Sequence, residues 1–282
     1  DIMKRNKVIT LLALSVAGVT LLAACSNSNK STTAGQEKTT TVNVAISGSS
    51  NPYEYTKDGQ LTGYEYDILK KADENLPQYK FDFKTYDDSA ILAALDAGRA
   101  DIGVNIYGKT KAREEKYLFS FPTTQGINAI FSNDKDKITT IEGLVGKKTE
   151  IPTGTNYGDI MDQWNSAHPD KKITVDYSKR GLAERLQALS DGQMDFIFAS
   201  KSAAENLVKE HAVTGVSDTV PTDLEKYPEF KTYTYYILDN SQTQLQKDLN
   251  QEIKKMAEDG YLKELSQKYF GGDQVPGMEQ YK

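Results

Sequence analysis

Apolar and polar positions divide this 282-residue chain into three regimes. From Val8 to Ala24 most positions are apolar, behind the basic patch Lys4-Arg5-Asn6-Lys7. From Ser26 to Thr41 almost none is. From Val42 onward short strand-like runs alternate with longer runs of helical period, the pattern of parallel sheets covered by helices. Strands are predicted at Val42–Ile46, Phe81–Phe83, Asp101–Val104, Thr149–Ile151, Val175–Tyr177 and Lys231–Leu238. Helix starts are marked by residues that suit an N-cap. Asp88-Ser89 precedes Ala90–Ala97, Thr110 precedes Lys111–Tyr117, and Asn156 precedes Tyr157–Ala167. Gln244–Phe270 reads as two helices broken near Gly260.

The third regime contains an internal echo. Leu92-Ala-Ala-Leu-Asp-Ala-Gly98-Arg-Ala-Asp101 reappears 94 residues later as Leu186-Gln-Ala-Leu-Ser-Asp-Gly192-Gln-Met-Asp195. Each is an apolar helix face closed by a glycine suited to C′, then a strand after an aspartate. Phe81-Asp82-Phe83 matches Val175-Asp176-Tyr177 at the same offset. Upstream, Ser47-Gly48-Ser49 and Thr153-Gly154-Thr155 each follow a strand. The order strand, Gly loop, helix, strand, helix, strand therefore occurs twice, and predicts two similar α/β lobes. The final strand and helix pair has no counterpart, so it is expected to return to the first lobe. The expected boundaries are lobe 1 at 42–132 and 232–282, and lobe 2 at 133–231. Open parallel sheets receive ligands beyond the carboxyl ends of their strands, here in the cleft between two facing lobes.

The first regime has the form of an export signal: a basic start, an apolar stretch and small residues before a cleavage point. It is short for a bilayer helix, and Thr10, Ser15, Gly18 and Thr20 dilute it. Leu22-Ala23-Ala24-Cys25 resembles a lipobox, which makes Cys25 a lipidation site and residues 1–24 a lipoprotein signal peptide. Residues 25–41, rich in Ser, Thr, Asn and Lys, read as a lipidated cysteine and a flexible tether. The Ser/Thr/Lys character leans toward a Gram-positive surface. Removing residues 1–24 takes away three basic side chains and one acidic one, moving the net charge from −6 to −8. An acidic chain with no basic run argues against nucleic acid as a partner. Cys25 is the sole cysteine, so no intrachain disulfide can form.

Screening for chemistry returns little. His168 and His211 are the two histidines, neither with a second ligand at metal spacing, and both read as surface residues. Zinc-protease and hydrolase nucleophile motifs do not occur. Gly143-Leu-Val-Gly146-Lys147-Lys148-Thr149 has the wrong glycine spacing for a phosphate loop. No metal or cofactor is implied. Arg113 stands out, because a guanidinium in the first turn of a helix opposes the macrodipole unless an anion is also expected. Its planar fork and the neighbouring backbone N–H groups suit a carboxylate. Glu114 and Glu115 allow the plainer reading of a charged surface helix. The loop Asn105-Ile106-Tyr107-Gly108 and the turn Thr153-Gly154-Thr155-Asn156 lie at the cleft ends of their strands.

Taken together, these features resemble the family-3 extracellular solute-binding proteins of polar amino-acid ABC importers. The resemblance runs from Val42 to about Gly271 and is carried by collinear segments. They are Asn51-Pro52-Tyr53-Glu54-Tyr55, Gly63-Tyr64-Glu65-Tyr66-Asp67, Leu92–Asp101, Thr110–Arg113, Phe119-Ser120-Phe121-Pro122, Ile141–Lys147, Leu189–Asp195 and Asp259–Lys263. It implies a two-lobed, hinged, periplasmic-binding-protein-like fold. Arg113 would hold the ligand's α-carboxylate, helped by backbone N–H groups near Gly108 and Thr155. Thr155 and Asn156 would close from lobe 2. Tyr53 and Tyr55 would line the lobe 1 wall, with Asn105 and Tyr107 beside it. It further implies a monomer that carries a small amino acid, cystine among the options, to a membrane permease, with lipid anchoring on the extracytoplasmic face.

The departures concern specificity. An aspartate that the family commonly uses for the α-ammonium corresponds to Ser200, followed by Lys201. Two aromatic positions are taken by Asp88 and Ser50, and Gly108 replaces a Ser or Thr. Either Asp88 takes over the ammonium, or it is simply a helix cap, or the ligand is not a simple α-amino acid. Two other functions remain open on sequence alone. One is a cyclohexadienyl-dehydratase-like enzyme with Glu65 or Asp88 as acid or base; the other is a ligand-sensing surface lipoprotein.

Overall fold

The computed structural model describes residues 38–282. The expected signal segment 1–24, Cys25 and the tether as far as residue 37 lie outside the described residues. Strand β1 (Thr40–Ser47) starts the fold earlier than predicted. Thr40 and Thr41, assigned to the tether, pair with Tyr79 and Lys80. A small antiparallel meander follows, β2 (Ser49–Ser50), β3 (Glu54–Lys57) and β4 (Gln60–Thr62). Next come α1 (Tyr64–Asn75), β5 (Tyr79–Tyr86), α2 (Asp88–Asp96), β6 (Ile102–Tyr107), the single turn α3 (Lys111–Glu114), β7 (Leu118–Phe119) and β8 (Thr124–Gly126).

The second lobe comprises β9 (Asn128–Asn133), β10 (Lys148–Pro152), α4 (Asn156–Ala167), β11 (Thr174–Ser178), α5 (Leu182–Ser190), β12 (Phe196–Ser200), α6 (Lys201–Glu210) and β13 (Val216–Thr219). The chain then returns through β14 (Thr232–Leu238), α7 (Thr243–Glu258) and α8 (Tyr261–Phe270).

Lobe 1 is a sheet in the order β5-β1-β6-β14-β7, with β8 also on β14. Strands β5, β1 and β6 run parallel, and β14 is antiparallel to β6, β7 and β8. Its period-two alternation is visible in β1. Val42, Val44 and Ile46 pack with Ile68, Leu249 and Ile253 of α1 and α7, whereas Ala45 packs with Ile91 and Leu95 of α2. Both faces are covered, which is why β1 reads as nearly continuous apolar sequence. The returning pair α7 and α8 joins this core, as expected from the lack of a counterpart in lobe 2.

Lobe 2 carries more antiparallel structure than the repeated pattern predicts. Strands β10 and β11 are parallel, but β9 lies antiparallel between β12 and β13. The β9 pairings also move the expected lobe boundary at 132/133. From Asn128 the strand is bonded to β12, and Ile130 and Phe131 are buried in lobe 2 cores, so the chain has entered that lobe before residue 133. The two lobes are joined where β8 and the start of β14 run side by side, Thr124 opposite Thr234 and Gly126 opposite Thr232.

The 94-residue echo has a physical basis. Asp101 accepts the Asn43 N–H at 2.7 Å and donates its own N–H to the Asn43 carbonyl at 2.7 Å. Asp195 makes the same two bonds with Lys148, at 2.7 and 2.9 Å. Each aspartate thus pins the start of the neighbouring strand, β1 or β10. Gly98 and Gly192, with φ of 67° and 77°, terminate the preceding helices in the left-handed region that glycine enters without steric cost. His168, expected at the surface, is half-buried and stacks on Trp164 at 4.0 Å.

Candidate functional site

A cavity of about 270 Å³ lies where the strand ends of the two lobes meet. Its walls include Ile106 at the end of β6 and Gly108 just after it, Ile151 and Pro152 at the end of β10, and Ala199 and Ser200 at the end of β12. The hinge strands contribute Gly126, Asn128, Thr232 and Thr234. Tyr53, Tyr157, Tyr233, Leu182 and Phe198 supply apolar surface, and Asn156 and Arg185 supply polar groups. The volume is near the small end of ligand clefts, roughly 300–1,000 Å³, and suits a small molecule rather than a peptide chain.

The lobes touch in front of this cavity. Asn156, the first residue of α4, packs so tightly on Gly108 that a Cβ there would sit 2.7 Å from its Cγ. The Lys111 N–H of lobe 1 donates to the Asp159 carboxylate of α4 at 3.1 Å. The helix is capped by Thr155, whose hydroxyl accepts the Gly158 N–H, so Asn156 is not the cap residue expected. With Thr155 turned back onto the helix, the Asn156 side chain is the group that faces lobe 1.

Ile106 occupies the left-handed region at φ 49°, which costs a β-branched residue on the order of 1–3 kcal/mol. The fully buried Glu65 holds it there, accepting the Ile106 N–H at 3.3 Å and the Thr123 hydroxyl at 3.1 Å. Beside it the Glu54 carboxylate is also fully buried, and neither oxygen has a hydrogen-bond partner. Burial raises the Glu54 carboxyl well above the ordinary range, with the neighbouring Glu65 adding to it, and raises that of Glu65 as well, which disfavours two charges side by side. Glu65 therefore shapes the cavity wall from behind and does not line it.

Of the predicted residues, Tyr53, Gly108, Asn156 and Ser200 line the cavity. Arg113 stands behind the wall, its Nη1 donating to the Gly108 carbonyl at 2.9 Å and its guanidinium 5.0 Å from the centre of the Tyr107 ring. Burial lowers its pKa. Thr110 caps the Arg113 N–H at 3.1 Å, but the helix ends at Glu114 and not at Tyr117 as predicted. Tyr107 is buried beneath that guanidinium, its hydroxyl without a partner. Tyr55 is on β3 opposite Ser49, and Thr155 is occupied as the α4 cap.

Asp88 is the clearest departure. The Ser47 hydroxyl donates to its carboxylate at 2.7 Å, and it lines a separate surface groove with Gly48, Thr85 and Ser89. Nor is it the helix cap, which falls at Asp87. Asp88, bonded to this serine at the end of β1, is not among the residues that line the cavity. Ser47 also contacts the Ser50 hydroxyl, which donates to Asn105 Oδ1 at 3.2 Å, so Asn105 is tied into the same lobe 1 chain. Neither Glu65 nor Asp88 faces the cavity as an acid or base.

Sequence reading missed Arg185, Asn128 and Tyr157. The Tyr157 hydroxyl donates to Asn128 Oδ1 at 3.0 Å, fixing an amide at the hinge whose Nδ2 bonds Thr232. Arg185 sits on α5 one residue before the repeated segment, at the position of the buried Ile91 in the first copy. A cation at a position where the pattern calls for apolar burial is the signal that could have exposed it.

Among the described residues, no helix is long and apolar enough to cross a membrane, and no cluster of three or more His, Cys, Asp or Glu could hold a metal. The family model for bacterial extracellular solute-binding proteins, family 3, matches residues 42–272. The chain is 28% identical over 283 residues to the L-cystine-binding protein TcyK of Bacillus subtilis, covering 96% of this chain and 97% of that protein. It is 31% identical over 217 residues to the L-cystine-binding protein TcyJ of Bacillus subtilis, covering 76% and 78%. Among solved structures, a chain from work on glutathione import via GshT and the cystine ABC importer TcyBC of Streptococcus mutans matches with a TM-score of 0.68 and 29% identity. That match covers 86% of this chain and 99% of the other. A putative L-cystine ABC transporter protein from Listeria monocytogenes matches with a TM-score of 0.63 and 25% identity, over 84% and 98%. These relatives are named as binding proteins and transporters, not enzymes, and with the family model spanning both lobes the chain belongs to the bacterial extracellular solute-binding proteins, family 3.

Proposed function

We propose that this protein is the substrate-binding lipoprotein of an ABC importer and captures a small polar amino acid, L-cystine foremost, between its lobes. The observation that carries this reading is a small-molecule cavity walled by both lobes, with Asn156 of lobe 2 seated on Gly108 of lobe 1. A ligand that contacts both walls stabilises the closed arrangement over the open one by its extra contacts, and so shifts the population toward it. The closed form is what a membrane permease would recognise. Names of relatives that include L-cystine-binding proteins support the choice of ligand.

Arg113 would meet the α-carboxylate by turning from the Gly108 carbonyl, with Tyr53, Asn156 and Ser200 completing the contacts. The family's aspartate is absent at Ser200, and the carboxylate of Glu150 in the wall is occupied by Arg180 at 2.8 Å. The α-ammonium is then met by neutral oxygens such as those of Ser200, Asn128 and Thr232. Cys25 would carry the lipid, with residues 26–39 as the tether, holding a monomer on the extracytoplasmic face of the membrane.

Native mass spectrometry of the gently purified protein, followed by calorimetry with L-cystine and the standard amino acids, tests this. Stoichiometric binding without turnover is expected. A cleft that retains nothing and gives no heat with any of these compounds would sink the reading.

A further inference from the structure

Arg185 extends from α5 of lobe 2 into the cavity wall and is only 8% exposed. Its Nη1 donates to the Glu150 carbonyl at 3.0 Å, while the buried Nε has no acceptor. Among the described residues no carboxylate oxygen lies within the 4 Å of an ion pair. The nearby Glu150 carboxylate is neutralised by Arg180, through Nε at 2.8 Å and through Nη2, and accepts the Ser178 hydroxyl as well. Arg185 is thus a buried cation with an unmade hydrogen bond, and such a group is costly unless an anion reaches it. Burial accordingly lowers its pKa. The cavity that it lines is a route by which an anion can do so.

Lobe 1 presents the complementary feature. Arg113 also has no ion-pair partner among the described residues, and it holds the Gly108 carbonyl of the opposite wall. Arg185 thus lines the cavity from lobe 2, while Arg113 stands behind the lobe 1 wall at Gly108, and neither guanidinium has an ion-pair partner among the described residues of a protein that is acidic overall.

We infer that Arg185 is a ligand-binding residue that takes a second carboxylate, so that the cleft selects small molecules carrying a carboxylate at each end. The inference rests on the cleft being the amino-acid site proposed above, and it names what distinguishes the preferred ligand. L-Cystine has two carboxylates; most amino acids have one. A charged fork built for a carboxylate discriminates strongly against an analogue lacking it, because the fork is then left buried and unpaired.

Calorimetry on the full chain with two probes tests the assignment. The probes are L-cystine and the mixed disulfide of L-cysteine with cysteamine, which differs by the loss of one carboxylate. The unmodified protein is expected to prefer L-cystine by about a hundredfold. Arg185→Gln should lower L-cystine affinity by about a hundredfold and change mixed-disulfide affinity by less than about threefold. Arg185→Lys keeps the charge but not the fork, so about a tenfold loss confined to L-cystine is expected; this variant decides the matter if Arg185→Gln fails to fold. Melting followed through Trp164, the sole tryptophan, reports folding. Unchanged L-cystine affinity in either folded variant, or equal losses for both probes, would overturn the role of Arg185 while leaving the amino-acid reading intact. Failure of the unmodified protein to bind either probe would overturn both.

Discussion

Placing one carbon atom on Gly108 should oppose closure of the cleft without touching either core. A Cβ there would lie 2.7 Å from Cγ, 2.8 Å from Nδ2 and 2.9 Å from Cβ of Asn156. Comfortable carbon contacts are about 3.5–4.0 Å, so the lobes must part by the better part of an ångström. Swinging the amide aside does not suffice, because the Asn156 Cβ itself is in the way. Gly108 lies outside the left-handed region, so alanine adopts its backbone without strain. Overpacking of this kind costs about 1–3 kcal/mol, and here the cost falls on the closed form alone. At about 1.4 kcal/mol per tenfold, Gly108→Ala should weaken L-cystine binding by roughly 5- to 150-fold. The melting temperature of the unliganded protein should stay unchanged. In an Asn156→Gly background the opposing atoms are gone, and the effect of Gly108→Ala should fall below about twofold, the signature of direct coupling. Calorimetry measures both affinities, and small-angle scattering measures compaction on ligand addition. An unaltered affinity in Gly108→Ala, or an equal loss in both backgrounds, would refute the reasoning.

Other outcomes follow from the same geometry. Arg113→Gln should lower L-cystine affinity by about 30-fold or more, as expected for removing one side of a buried charge contact, and calorimetry would show it. Glu150 has a pKa lowered to about 2, chiefly by its hydrogen bonds to Arg180. A depressed carboxylate contributes stability that is present above its unfolded pKa near 4.5 and is lost as pH falls toward 2. Glu150→Gln should therefore melt earlier than the unmodified protein at pH 5–8, with the gap closing near pH 2; a gap independent of pH would contradict this. Cys25→Ser should move the protein from the membrane to the soluble fraction with ligand affinity intact, as fractionation and calorimetry would report. Lost binding in that soluble variant would refute the separation of anchor from cleft.

Much of this protein is legible in its sequence because local periodicity records which face of each element is covered. The strands Phe81–Phe83 and Val175–Tyr177, the glycine stops at Gly98 and Gly192 and the paired Asp101 and Asp195 are short-range patterns, and each has its structural counterpart. Collinear motifs over most of the chain were enough to indicate the family. What lay beyond reach depends on groups brought together from distant positions. Asp88 looked available for an ammonium until Ser47, 41 residues earlier, placed a hydroxyl on it at 2.7 Å. The crossing of β9 into lobe 2 depends on its pairing with β12 and β13, not on its own composition. Arg185 reads as one charge on an amphipathic helix. Only packing of α5 on β9, β12 and β13 leaves its guanidinium buried, tied to the Glu150 carbonyl of β10 and facing the cavity. Sequence determined the lobes because burial periodicity is local; tertiary structure decided the occupants of the cleft, because a charge finds or lacks its partner only in three dimensions.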